Sequence, residues 1–255
     1  MSDTLKVERD GSVMEITFNR PEKKNALTRE MYNGVVAAFE QADSDPTIRA
    51  ILLTGAGDTF TSGNDIRDFQ ARASGNEPRD GSPFLTALST LKKPLVGAVN
   101  GAAIGVGTTM LAHCDLIIAA RSARFVMPFT SLGLVPEAGS SLLFPRLVGL
   151  QRANALLLLG EALDAATALD WGFVNKVVDD AALMDTARAF AHRLAALPPQ
   201  AVRLTKQLVR QGSQDLTPRI EEELTIFRQR VRSPEAGEAF AAFVEKRKPD
   251  FSRFE

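Results

Sequence analysis

The chain of 255 residues holds one cysteine, Cys114, so an internal disulfide and a multi-cysteine metal site are both excluded. Its two histidines, His113 and His192, are too few for an ordinary histidine-based zinc site, and no metal is expected. Charge of one sign is missing as well: 30 Lys and Arg stand against 31 Asp and Glu, a net charge of −1. That balance supplies no electrostatic footprint for nucleic acid or an anionic membrane. No run of 18 apolar residues suggests a membrane span, and the polar opening MSDTLKVERDG shows no apolar signal core. The last residues, SRFE, are not a peroxisomal address. A cytoplasmic protein is the resulting expectation. Neither G-x-G-x-x-G after a strand nor a G-x-x-x-x-G-K-[ST] loop is present, so a nucleotide-phosphate cradle is not supported. No serine sits in a G-x-S-x-G elbow.

What the chain does contain is 45% hydrophobic residues, ample for a large core. VMEITF at 13–18 alternates as a half-buried strand does; AILLT at 50–54, LVGAVN at 95–100 and LIIAA at 116–120 are short continuous apolar runs of buried strands. Residues 125–127 and 175–178 suggest further short strands. Thr28 is placed to cap a helix reaching about Ala42, and a small-residue helix is expected over 105–112. NRPEKKNAL and GDTFTSGNDI read as loops, the second entering a short helix at Asp65; ARASGNEPRDGSP at 71–83 reads as a surface loop before a helix near 84–91. From Ser140 onward helices dominate, with Gly160 and Gly172 as terminators and Asp164 and Ser233 as N-caps. The last helices, near 181–196, 199–210, 216–231 and 234–245, carry many charges and a moderate apolar stripe, as helices packed partly on a core and partly on another subunit would. The order strand, glycine loop, short helix, strand suggests stacked ββα turns.

Three stretches could hold chemistry. In FTSGNDI, 60–66, a glycine loop enters a helix start whose N–H groups lack intrahelical partners; ordinary capping by Asp65 is the plainer reading. In NGAAIGVGTT, 100–109, a buried strand ends in a glycine-rich turn whose N–H groups could also meet an oxygen, or whose glycines could simply allow close packing. Two such sources are what an oxyanion hole requires. The third stretch, FVMPFTSLGLVPEAGSSLLFP, holds one ionisable side chain, Glu137. Apolar surroundings disfavour the ionised carboxylate and suit a proton-transfer group near neutral pH, while a helix cap or an exposed turn residue explains the same glutamate. The residues leave both readings open. His113 and Cys114 read as core or helix-end residues, and Trp171 as packing.

The segments NRPEKKNAL, FTSGNDI, KKPLVGAVNGAAIGVG, CDLIIAA, LGLVPEAGSSLLFPRLVG and FVEKRKPDF, in this order, resemble the enoyl-CoA hydratase/isomerase, or crotonase, family over essentially the whole chain. The resemblance implies an α/β, ClpP/crotonase-like spiral of ββα turns over 1–195 with the acyl-CoA site. It also implies a helical region over 196–255 that assembles trimers, often paired into hexamers. It implies no separate cofactor, coenzyme A being part of the substrate. By position, the thioester oxygen would meet the backbone N–H groups of Asn64 and Val106, with Gly105 shaping the second loop. Ser62, Gly63, Asn64, Asp65 and Ile66 would line the adenine and pantetheine, with Lys24 and Ala26 along the coenzyme. Phe243 and Lys246 would reach the adenine or 3′-phosphate, in the same or a neighbouring subunit.

The family's hydratases use two glutamates, and the matching positions here are Thr109 and Phe129. That departure disfavours hydration, while the Δ3,Δ2-enoyl-CoA isomerase branch resembles this chain in carrying one glutamate at Glu137. The expectation is therefore an enoyl-CoA isomerase with Glu137 as proton shuttle. A 2-enoyl-CoA hydratase acting through Glu137 or Asp65, and a non-catalytic acyl-CoA-binding protein, are the alternatives.

Overall fold

A computed structural model describes residues 3–65, 82–210, 215–252 and 254. The chain opens on β1 (Leu5–Asp10) and β2 (Val13–Phe18), an antiparallel hairpin pairing Val7 with Ile16. Then follow α1 (Arg29–Ser44), β3 (Ala50–Gly55), β4 (Thr59–Thr61), α2 (Pro83–Thr90), β5 (Leu95–Val99), β6 (Ala102–Ile104) and the short α3 (Val106–Thr109). The next strands are β7 (Leu116–Ala120) and β8 (Arg124–Val126). Beyond them lie α4 (Ser140–Val148), α5 (Leu150–Leu158), β9 (Leu163–Asp164), α6 (Ala165–Asp170) and β10 (Lys176–Val178). Four helices close the chain: α7 (Leu183–Ala196), α8 (Pro199–Arg210), α9 (Leu216–Val231) and α10 (Pro234–Val244).

Two sheets take alternate strands. One runs β1-β2-β3-β5-β7-β10, the other β4-β6-β8-β9. Each turn of chain contributes one strand to each sheet, as β3 then β4, β5 then β6, β7 then β8. This is the expected spiral of ββα turns. The neighbours β2-β3-β5-β7-β10 and β4-β6-β8 are parallel, so the carboxyl ends of β4 and β6 emerge at the same edge.

Burial on both faces explains the continuous apolar runs of β3, β5 and β7. Ile51 and Leu53 enter the main core, whereas Leu52, Val96, Ala98 and Ile118 pack against α7 through Leu183, Ala187, Ala191 and Ala195. Those four lie at intervals of four, on one helical face, and the three alanines let the helix approach closely. The expected caps form: Thr28 Oγ1 accepts from Met31 N, Asp164 from Thr167 N and Ser233 Oγ from Ala236 N.

The opening residues form β1, whose outward side chains are charged because it is an edge strand. Two expectations need correction. The two segments read as loops around Thr59 and Ala102 each contain a three-residue strand. The helix expected over 105–112 tightens into a 3₁₀ helix, Met110–His113, after one α turn. The helix expected at Asp65 and most of the loop at 71–83 lie outside the described residues.

Candidate active site

The first donor loop is held from beneath. Asn25 is fully buried with φ of +53°, and its side chain accepts from Arg20 N and donates to the carbonyls of Ala56 and Thr59. Lys24 O accepts from Ser62 N, Asn25 O accepts from Thr61 Oγ1, and Leu27 pairs with Gly63 O and Asp65 N. Lys24 and Ala26 thus run beside Ser62, Gly63, Asn64 and Asp65, and the two predicted segments meet. The exchange around Leu27 skips the N–H of Asn64, which donates to no backbone carbonyl among the described residues. Asn64 Oδ1 accepts from Tyr32 Oη at 2.7 Å, and Arg20 bonds Ala26 O and the Asp65 carboxylate at 2.7 and 3.2 Å. Asp65 is therefore engaged with Arg20. Lys24 Nζ lies 2.8 Å from Asp58 in an exposed pair that holds the Asp58 carboxyl below its usual range.

The second loop leaves the neighbouring strand. Gly105, with φ +56° and ψ −119°, adopts a backbone open to glycine and costly for other residues. That corner makes Val106 the first residue of α3, where an N–H has no intrahelical acceptor. Thr108 N and Thr109 N both turn back to Gly105 O. A Cβ at Gly107 would stand 2.4 Å from Thr61 Cγ2, so the start of α3 lies directly on β4. Two N–H groups with no backbone acceptor among the described residues therefore leave adjacent strand ends on one edge.

Glu137 comes to the same place. It is buried, and its Oε1 accepts from Thr109 Oγ1 at 2.5 Å. Thr109 stands three residues from Val106, a rise of about 4.5 Å along the helix. The helix cap once weighed for Glu137 is made by another residue. Gly139 N and Ser141 N, at the start of α4, donate to the Glu223 carboxylate at 2.6 and 2.9 Å. Burial raises the Glu223 pKa, and the donors from Ser141 and Gly139 oppose that rise.

The remaining predicted residues divide. Gly105 forms the corner before Val106, and Phe129 is buried. Phe243 and Lys246 are exposed at the end of α10, and no hydrogen bond among the described residues joins them to the loops. Ile66 lies outside the described residues. Sequence reasoning missed Tyr32, Arg20 and Glu223, whose side-chain links to Asn64, Asp65 and the start of α4 span 32 residues or more and leave no local signal. His113, read as a core residue, is buried, and burial lowers its pKa to about 4.

The family model for enoyl-CoA hydratase/isomerase matches residues 8–253. The chain belongs to this family. As an enoyl-CoA hydratase/isomerase it is an enzyme acting on CoA thioesters. It is 40% identical over 248 residues to 1,2-epoxyphenylacetyl-CoA isomerase of Escherichia coli, covering 94% of this chain and 95% of that protein. It is 36% identical over 255 residues to enoyl-CoA delta isomerase 2 of Rattus norvegicus, covering 97% of this chain but 65% of the rat protein. A crystal structure of an enoyl-CoA hydratase/isomerase from Pseudoalteromonas atlantica superposes with a TM-score of 0.92 at 46% identity, over 98% and 100% of the two chains. Relatives named as isomerases and as hydratases both match this enoyl-CoA hydratase/isomerase, and no helix among its described residues is long and apolar enough to cross a membrane.

Proposed function

We propose that this protein isomerises 3-enoyl-CoA thioesters to 2-enoyl-CoA, with Glu137 moving a proton from C2 to C4. The observation behind this reading is the buried Glu137 carboxylate, held by Thr109 one helical turn from Val106. The carboxylate takes a proton from C2 and leaves a dienolate whose negative charge rests on the thioester oxygen. The N–H groups of Asn64 and Val106 stabilise that charge, one such donor being worth about 3 kcal/mol. The protonated carboxyl then returns the proton to C4, so one residue serves as base and acid. Phe129 and Leu134, both buried, keep competing water away.

Lys24 and Ala26, with Ser62, Gly63, Asp65 and Ile66, would follow the coenzyme. The Lys24–Asp58 pair is solvent-exposed and therefore weak, so a phosphate can draw the ammonium away. Phe243 and Lys246 would contribute at the adenine end. Residues 196–255 would assemble trimers or pairs of trimers, since α8 leaves Leu204, Leu208 and Val209 exposed in the monomer. The identity with 1,2-epoxyphenylacetyl-CoA isomerase supports a second reading, in which the substrate is an epoxide-bearing arylacetyl-CoA. A panel of 3-enoyl-CoA, 2-enoyl-CoA and epoxyarylacetyl-CoA thioesters tests these readings. Turnover of the 3-enoyl substrates without hydration of the 2-enoyl ones supports the first, and hydration alone overturns it.

A further inference from the structure

One peptide group beside Glu137 is gripped at both ends. His113 Nε2 lies 2.7 Å from Ala138 O, and Gly139 N donates to Glu223 Oε2 at 2.6 Å. The oxygen and the N–H belong to the same peptide plane. A carbonyl only accepts, so His113 presents Nε2–H to it; Nδ1 is buried and finds no partner among the described residues. The flanking residues are in the left-handed region, Ala138 at φ +60° and Gly139 at φ +68°. For alanine that conformation costs about 1–2 kcal/mol, so the surroundings must impose it. Glu137 O is fixed in turn, accepting from Ser140 Oγ at 2.6 Å. The two holds come from opposite parts of the chain: the 3₁₀ helix Met110–His113 that continues α3, and α9 of the C-terminal helices.

We propose that His113 and Glu223 are positioning residues that fix the backbone of Glu137 by holding the Ala138–Gly139 peptide, and so aim its carboxylate at the substrate. The proposal rests on Glu137 being the proton shuttle. The 3₁₀ turn delivers His113 to the carbonyl in the same element that brings Thr109 to the carboxylate. Both ends of the glutamate are thereby referenced to the helix that begins at Val106. Loss of either hold lets the left-handed pair relax, and the carboxylate swings without any substrate contact being removed.

The test uses steady-state kinetics on trans-3-hexenoyl-CoA, with thermal melts to establish folding. His113→Asn is too short to reach Ala138 O, whereas the His113→Gln amide reaches about as far as Nε2. Misplacement of a reacting group by about an ångström costs on the order of a hundredfold, so His113→Asn is expected to lose about that much kcat with KM nearly unchanged. His113→Gln is expected to restore most of the rate. Glu223→Ala removes the acceptor of Gly139 N and should also lower kcat at constant KM. Wild-type kcat in His113→Asn, or equal impairment of His113→Gln, overturns the proposal. If His113→Asn does not fold, Glu223→Ala decides alone, and an unchanged kcat there overturns it. Glu137→Gln separates this from the parent reading. Full activity in that variant sinks the shuttle itself, whereas an inactive Glu137→Gln beside a fully active His113→Asn sinks only the positioning role.

Discussion

Thr109 Oγ1 donates to Glu137 Oε1 at 2.5 Å across 28 residues of sequence. The bond joins the one glutamate of an apolar stretch to the helix whose first N–H faces the strand edge. A hydroxyl in this position favours the ionised carboxylate and fixes its orientation. Replacing it by a third apolar group would remove both effects.

Thr109→Val is therefore expected to lower kcat by about tenfold at nearly constant KM, the loss of a hydrogen bond to a charged group being worth about 1.5–3 kcal/mol. Thr109→Ser retains the hydroxyl and should retain the rate. Steady-state kinetics of the three proteins check this.

Gly107→Ala should damage both donor loops at once. Its Cβ would press on Thr61, whose hydroxyl donates to Asn25 O and accepts from Gly63 N. Overpacking of this kind costs about 1–3 kcal/mol, and the strain falls on the loop that presents Asn64. Gly11→Ala is the control. It has positive φ, with open space around it, in the distant β1–β2 turn. It should lose melting temperature and keep kcat, while Gly107→Ala loses both.

The buried His113 makes stability depend on pH. Its pKa falls from 6.5 in the unfolded chain to about 4 in the fold. Above pH 6.5 the imidazole is neutral in both states and the full contribution is present. As pH falls, the unfolded chain takes up its proton first, and the contribution is lost progressively down to about pH 4. A difference of 6.5 − 4 = 2.5 amounts in full to about 3 kcal/mol, of which about 2 is lost between pH 7 and pH 5. Glu223, with its pKa raised by burial, works in the opposite sense, but it is common to wild type and His113→Gln. Urea unfolding at the two pH values should show wild type losing about 2 kcal/mol more than His113→Gln.

The apolar surface of α8 gives a further expectation. Leu208 is 64% and Val209 79% exposed in the monomer, more than an isolated helix face explains by chance. Light scattering should return a mass of three or six times 27.6 kDa. A monomer would contradict the assembly role given to residues 196–255.

The long strands were legible because β3, β5 and β7 are buried on both faces and read as unbroken apolar runs. The short strands β4 and β6 were not. Three residues such as Thr59–Thr61 give too little pattern, and what makes them strands is pairing with each other. Val106 was legible as a helix start after a glycine turn, and parallel pairing of β4 with β6 then placed it at the same edge as Asn64. Glu137 was ambiguous because a carboxylate before a helix is equally a cap. Only tertiary structure shows Glu223 taking that cap, from a residue 84 positions away from Gly139.

The central claim is that Glu137 alone transfers the proton. Conversion of trans-3-hexenoyl-CoA, followed by the absorbance of the conjugated product, tests it most directly in wild type and Glu137→Gln. The account predicts turnover by wild type and loss of at least about a thousandfold in kcat for the amide, which keeps the shape but cannot take the proton. Near-equal rates for the two proteins would contradict it.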